Sequence, residues 1–451
     1  MAKKPSSRFV CESCGAISTS YSGRCNSCGE WNSLVEQITP QGIAGFSKPT
    51  GNQLSTQSVG SSVLSDQARI HCGIGDVDLV CGGGIVAGSV NLIAGQPGIG
   101  KSTLLLQIAY AAAASVSVLY ISGEESAYQI GLRAERLGAQ RPELQIATTS
   151  SADDIAATIA QGTYQLVIVD SIQTITAAAI SSSAGTVAQI TNSTQLITAA
   201  AKQSNTAVIL VGHVTKEGAI AGPKVLEHVV DVVLQLEGDR YGGFKILRAV
   251  KNRFGSTNES AIFEMAEQGL LPVTNPSAAL LAERQVSDGS IVLATIEGSR
   301  PLLVEVQALV NPTSYGYPKR AASGFDLNRL NLLVAVLERR TKLQLHDKDI
   351  YINIVGGMQI REPAADLAIC LAIGSAAKGL QLKAQEVVFG EVGLSGEVRH
   401  VSYVNKRLAE AMKLGFSGAI GPLQKDKVAG LNKLHSVADV RSALNRFLEK
   451  D

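Results

Sequence analysis

The amino-acid sequence predicts an α/β protein in three parts: a module built on four cysteines, a phosphate-binding domain with a mainly parallel sheet, and a C-terminal α+β domain. Three observations carry that prediction. Cys11, Cys14, Cys25 and Cys28 stand in one C-x2-C-x10-C-x2-C pattern. From about Ile70, short apolar runs alternate with helix-length stretches, as in a parallel sheet covered on both faces. A glycine-rich turn, GQPGIGKS, joins one such run to the next helix.

Each C-x2-C is a tight knuckle whose two thiolates converge on one ion, and two knuckles complete a tetrahedron. Residues 1–39 have too little apolar material for a core, so the metal would supply the folding energy. Zinc suits four thiolates and a closed, structural site; an iron site of rubredoxin type shares the same ligands. Cys72, Cys81 and Cys370 stand alone and read as packing residues. Residues 40–69, rich in Ser, Gly, Gln and Thr, have a linker composition.

The second part, residues 70–276, contains the runs SVNLIAG, VSVLYIS, YQLVIVD, NTAVILVG and DVVLQLEG, with KSTLLLQIAYAAAA as a helix after the first. The third, residues 285–451, mixes SIVLATIEG, PLLVEVQALV and DIYINIVGG with the helices NRLNLLVAVLERR and AADLAICLAIGSAAKG. The 451 residues are 45% hydrophobic and 18% charged, a globular composition, and 40 basic against 39 acidic side chains leave a net charge of +1. Whole-chain charge therefore neither favours nor excludes nucleic acid, and any basic surface must be local. No apolar run reaches the roughly 18 residues of a membrane span, and the N-terminus lacks a secretory core, so the expected compartment is the cytoplasm without membrane attachment.

The stretch from Gly95 to Ser102 fits G-x-x-x-x-G-K-[ST] between a strand and a helix. Gly95, Gln96, Pro97, Gly98, Ile99 and Gly100 would wrap backbone N–H groups around the phosphates of ATP, and the helix N-terminus adds a favourable dipole. Lys101 reaches the β- and γ-phosphates, Ser102 takes Mg²⁺, and Thr103 continues the loop into the helix. Asp170 ends LVIVD and is the carboxylate expected to hold Mg²⁺ through water. Glu124 and Glu125 follow another strand where an attacking water would sit; one of them, preferably Glu124, is the general base. His213 ends VILVGH, either as a γ-phosphate sensor or as a structural residue.

The order CxxC…CxxC, LVCGGGIVAGSVNLIAGQPGIGKST, ISGEES, LVIVDS, VGHVTKEG and KNRFG closely resembles the bacterial RadA (Sms) DNA-repair family over nearly the whole chain. The resemblance implies a RecA-like middle domain akin to the motor of DnaB-type ring helicases. It implies a DNA-dependent ATPase of recombinational repair, a homo-oligomeric, hexameric ring that moves on single-stranded DNA, migrates branched DNA and works with the RecA recombinase. KNRFG looks like the K-x-R element of ring helicases, in which Lys251 and Arg253 would reach the ATP of the neighbouring subunit. A solvated edge strand and a direct DNA contact are the competing readings. By position in RecA-like domains, HVTKEGAIAGPK would face the DNA channel and offer Lys216 and Lys224 to phosphate; a second loop, TAAAISSSAGTVAQ, is small, flexible and uncharged.

The last part resembles the proteolytic domain of Lon proteases, which uses a serine–lysine dyad. Here REPAADLAIC puts Ala364 at the serine and VSYVNKRLAEA puts Asn405 near the lysine, with Lys406 adjacent. Alanine has no nucleophilic atom, so the fold is expected without the peptidase. Lys319, Arg320, Lys406 and Arg407 are candidate DNA contacts or merely a solvated face. The rival functions are a RecA-like regulatory ATPase that does not act on DNA, since ISGEES also resembles the paired glutamates of such proteins, and an ATP-dependent protease.

Overall fold

The computed structural model describes residues 7–11, 16–18, 20–31, 33–38, 69–214, 220–221, 225–238, 244–314, 316–382, 385–424 and 433–449. The chain divides into two compact units, Met1–Asp66 and Gln67–Asp451, each described by itself.

In the first unit, β1 (Ser7–Cys11) lies between β2 (Ile17–Ser18) and β3 (Leu34–Ile38) in an antiparallel sheet. Its buried apolar residues among those described are Cys11, Cys25 and Leu34, with Phe9 and Ala16 packed against them. A core this small cannot offset the chain entropy of folding, as the cysteine pattern implied.

The second unit opens with α1 (Gly75–Val80) and then the strand–helix alternation read from the sequence. In order come β4 (Val90–Gly95), α2 (Lys101–Ala112), β5 (Val118–Ser122), α3 (Ala127–Arg136) and β6 (Leu144–Thr148). They are followed by α4 (Ala152–Ala160), β7 (Leu166–Asp170), α5 (Val187–Ser204), β8 (Ala207–Val214), β9 (Ile220–Ala221) and α6 (Val225–Val229). Finally come β10 (Val232–Gly238), β11 (Phe244–Asn252), β12 (Ser260–Ala266) and β13 (Gly269–Pro272). They form a ten-stranded sheet ordered β13-β12-β11-β10-β4-β8-β7-β5-β6, with β9 on β8. The run from β10 to β6 is parallel, and the β11–β13 edge is antiparallel. Alternation along the strands sorts the core onto two faces. Ile93, Tyr120, Ile168 and Ile209 pack with α1, α2 and α3, whereas Leu92, Ile121, Val169 and Leu210 pack with α4, α5 and α6.

After α7 (Pro276–Leu281) come β14 (Ser290–Glu297), β15 (Arg300–Pro312), β16 (Arg320–Ser323), α8 (Leu327–Thr341) and β17 (Lys348–Ile354). They are followed by α9 (Asp366–Lys378), β18 (Glu386–Val388), α10 (Val404–Lys413), β19 (Gly418–Pro422), β20 (Leu434–Val437) and α11 (Val440–Phe447). The second sheet is mixed and seven-stranded, ordered β16-β17-β15-β14-β18-β19-β20. Helix α9 is buried from Asp366 to Ser375, which places Cys370 wholly in the core; Cys72 and Cys81 are buried as well. Ile246 of β11 and Ile262 of β12 share one core with β14, β15 and α9, so residues 67–451 hold together as one unit. Among the described residues no helix is long and apolar enough to cross a membrane.

Candidate nucleotide site

The phosphate-binding loop leaves β4 at Gly95 and enters α2 at Lys101. Gly98 and Gly100 turn it with φ of +79° and +113°. Side chains rarely adopt such values, so the loop presents N–H groups rather than Cβ atoms to the phosphates. Ile99 anchors the loop from below, while Gln96 and Pro97 face solvent. Lys101 is only 4% exposed and folds back to donate to the carbonyls of Gly95 (2.9 Å) and Gln96 (3.0 Å). Burial pulls its pKa from 10.5 to about 8, against the opposing fields of Asp170 and Glu124. Ser102 and Thr103 follow on the first turn of α2.

The strands beside β4 deliver the polar residues to this end of the sheet. Asp170 ends β7 and accepts a 2.6 Å hydrogen bond from Tyr120 of β5. Burial beside Asp170 pushes the tyrosine hydroxyl well above its ordinary range, so it stays a donor. Sequence reasoning passed over Tyr120, although it is the one polar side chain in the otherwise aliphatic VLYI. Beyond β5, Ser122 Oγ accepts from the N–H groups of Glu124 and Glu125. The two glutamates then separate: Glu125 is bound by Arg133, whereas Glu124 accepts from Ser171 and lies 3.7 Å from His213 Nε2. Glu124 thus turns toward Ser171 and His213, and Glu125 toward Arg133 of α3. His213 is in register with Gly95, and its Nδ1 is buried without a hydrogen-bond partner among the described residues. The site can therefore receive phosphates on backbone N–H groups, set a cation beside them, and offer Ser102 and Asp170 to Mg²⁺.

KNRFG sits elsewhere. Lys251 donates to the carbonyls of Glu227 (2.5 Å) and Val230 (2.7 Å), capping the C-terminal end of α6. Arg253 Nη1 meets Asp231 at 3.1 Å, and Asn252 donates to Val80 O. Gly255 lies against Gly82 so closely that a Cβ would come within 2.7 Å of its Cα. Asp231 also accepts from the N–H of Val90, the first residue of β4. Arg253 is therefore at the opposite end of β4 from the phosphate loop. Five strand residues separate them, roughly 17 Å. Neither Lys251 nor Arg253 can serve the ATP of its own chain.

Lys216 and Lys224 lie outside the described residues. The second loop is not loose: the buried Gln189 side chain accepts from Ala177 N and donates to Ile180 O and Ser182 O. Sequence reasoning missed this pin because Gln189 sits on the following helix. A further ion-pair chain runs beside the phosphate end of the sheet. Arg248 bridges Glu237 and Glu297, and Arg361 lies 3.5 Å from Glu237, one residue beyond the Leu236 that pairs with Gly95.

In the last part, Ala364 is buried among Val292, Ala294, Leu303 and Phe389, and its methyl group is not a nucleophile. The basic residue that the fold turns toward this place is Arg407, not Asn405 or Lys406, which are exposed. Arg407 is wholly buried, bonds Ala294 O at 2.6 Å and forms a two-point pair with Glu362. That overturns Arg407 as a candidate DNA contact: a guanidinium without exposure cannot meet a phosphate backbone.

In the N-terminal unit the Sγ atoms of Cys11, Cys25 and Cys28 lie within 4.8 Å of one another, and Cys11 and Cys28 are 3.6 Å apart. Thiolates at about 2.3 Å around zinc stand roughly 3.7 Å from each other, so the donor set fits. Backbone N–H groups of Cys28 and Ser27 hold the Cys25 thiol below its ordinary range, as a ligand thiolate requires. Cys14 lies outside the described residues.

Sheet order, phosphate loop and flanking carboxylates define a P-loop ATPase of RecA-like fold, joined to a metal-binding ribbon and a Lon-like C-terminal domain. Family models agree along the chain: an AAA domain over residues 61–219, a rubredoxin metal-binding domain over 9–36, and subunit ChlI of Mg-chelatase over 331–425. The chain is 46% identical over 455 residues to the DNA repair protein RadA of Bacillus subtilis (strain 168), covering 99% of each. It is 44% identical over 441 residues to RadA of Aquifex aeolicus (strain VF5), covering 98% of this chain and 99% of that one. The chain belongs to the bacterial RadA DNA-repair protein family. Among solved structures, a RadB recombinase is 23% identical, covering 45% of this chain and 99% of its own, with a TM-score of 0.37.

Proposed function

We propose that this chain is a DNA-dependent ATPase of recombinational repair. It assembles in the cytoplasm as a ring, hexameric by resemblance to DnaB-type motors, and moves on single-stranded DNA. With RecA it migrates branches and processes recombination intermediates. One observation supports the ring most directly: Lys251 and Arg253 lie at the far end of β4 from their own phosphate loop, so any role in hydrolysis must be toward another chain's nucleotide.

Within one chain, the N–H groups of Gly95 to Gly100 hold the phosphates and Lys101 leaves its two carbonyls to meet the β- and γ-oxygens. Glu124, held by Ser171, takes the proton of the attacking water. His213, touching Glu124, senses the γ-phosphate. Magnesium, when bound, neutralises phosphate charge, and Ser102 and Asp170 would hold it. Arg253 of the neighbour then stabilises charge on the transferring group. Lys216 and Lys224 contact DNA phosphates. Zinc on Cys11, Cys14, Cys25 and Cys28 organises a partner-binding module.

The deciding experiment mixes Arg253→Ala protein with Lys101→Ala protein, with exchange of labelled subunits verified. Alone, Arg253→Ala should bind ATP and lose on the order of 10³-fold in hydrolysis. Mixed rings should recover activity where an intact Lys101 meets an intact Arg253. No recovery removes the trans role and moves these cations to the DNA channel. Hydrolysis that is indifferent to single-stranded DNA would favour a regulatory ATPase instead.

A further inference from the structure

Asp231 is unclaimed by the nucleotide chemistry, yet it is the most heavily used buried carboxylate in this part of the molecule. Its side chain is 3% exposed, while the Arg253 side chain it holds is 55% exposed. One oxygen faces Arg253 Nη1 at 3.1 Å; the other accepts from Val90 N at 3.0 Å and from Lys202. The backbone repeats the link, with Asp231 N bonded to Val90 O at 2.8 Å and Arg253 N to Asp231 O at 3.3 Å. A guanidinium offers five donors in a fixed plane, and Asp231 takes one of them, on Nη1. The side chain remains 55% exposed and can face solvent or an adjoining subunit.

We infer that Asp231 is the positioning residue for the trans-acting Arg253, fixing the direction in which its guanidinium leaves the sheet. This rests on the trans role proposed above. Arg253 follows the end of β11, and its own N–H bond to Asp231 O, at 3.3 Å, holds the backbone there but not the side chain. A half-exposed arginine there would otherwise sample many rotamers, and misplacing a charge-stabilising group by about 1 Å can cost on the order of 10²-fold in rate. Because Asp231 is bonded to the first residue of β4, and β4 ends in the phosphate loop, the finger offered to the neighbour is referenced to the rigid strand that holds this chain's own nucleotide.

The test is Asp231→Asn in the full-length protein. It keeps the shape and removes the charge that orients Arg253. Nucleotide affinity should stay within about twofold while turnover falls roughly 10²-fold. The loss should behave in trans: mixed with Lys101→Ala subunits, Asp231→Asn should recover activity as Arg253→Ala does. Damage to the chain's own sheet would be a cis defect, and no mixture would repair it. Lys202→Met, which removes the other cation at the same carboxylate, should keep turnover within about threefold and so separates finger placement from general damage to this corner. Should the asparagine variant melt early, Asp231→Glu keeps the charge, displaces it by one methylene and carries the same prediction. Normal turnover in Asp231→Asn, a loss that mixing does not rescue, or an equal loss in Lys202→Met overturns the assignment. If Arg253→Ala itself is not rescued, the trans reading has failed, and that result is visible without reference to Asp231.

Discussion

Lys101 gives the nucleotide site a measurable proton signature. Its ammonium is buried against two carbonyls, with a pKa of about 8 instead of 10.5. Polyphosphate brings several negative charges to the same nitrogen, which restores full protonation. At pH 8 the empty site is half protonated, so MgATP binding should take up about half a proton; at pH 9 it should take up about 0.9. The affinity follows from the same equilibrium. Between pH 7 and pH 9 the protonated fraction of the empty site falls about tenfold, so Kd should rise about tenfold. For stability the slope has the same sign as for a carboxylate whose pKa is depressed on folding: stability rises with pH across the window. The folded pKa lies below the unfolded one, so the burial penalty, about 3 kcal/mol, is fully present below pH 8 and is relieved as pH rises toward 10.5. The assay is titration calorimetry in two buffers of different ionisation enthalpy, using a non-hydrolysable ATP analogue, with Lys101→Met as the control that removes the group. A Kd independent of pH between 7 and 9, with no proton uptake at pH 8 beyond the control, would refute the reasoning. It would mean that Lys101 is solvated and fully charged before nucleotide arrives.

Three other perturbations test separate parts of the molecule. Cys28→Ser should release the metal and unfold the N-terminal unit while leaving the 67–451 unit and its basal ATPase intact; a metal assay finding one tightly held zinc per mutant chain would contradict the thiolate site. Arg407→Met leaves the partly exposed Glu362 with Thr295 Oγ1 and Ile296 N but no cation, and should cost about 1–3 kcal/mol in chemical denaturation without lowering DNA affinity. Ala364→Ser should create no peptidase, because the hydroxyl would enter an apolar cluster and the carboxylate two residues away, Glu362, is already bound by Arg407, Thr295 Oγ1 and Ile296 N; casein cleavage by this variant or by the parent protein would reverse that view.

Local pattern determined a great deal. Two knuckles of cysteine, the phosphate loop between a strand and a helix, and the continuous apolar strands announce their structure because the causes are short-range: thiolate spacing, glycine φ values, side-chain periodicity. The places of Lys101, Ser102, Asp170 and Glu124 in the chain were legible for the same reason, since each lies at or just beyond the end of an element whose direction the sequence sets. What depended on sequence-distant contacts was not legible. Arg407 reads as one more surface cation, and only the packing of α10 against β14 turns it inward to Glu362. Tyr120, Gln189 and Asp231 carry no motif; they matter because β5, α5 and β10 bring them to Asp170, the 177–182 loop and Arg253. KNRFG shows both halves at once. Its residue types announce a phosphate-seeking pair, but only the strand order, with β11 beside β10 and Asp231 bonded to the start of β4, puts that pair at the end of the sheet away from its own nucleotide. The physical reason is common to all of these: a motif is a local arrangement of backbone, whereas the partner of a buried polar side chain is chosen by which elements become neighbours.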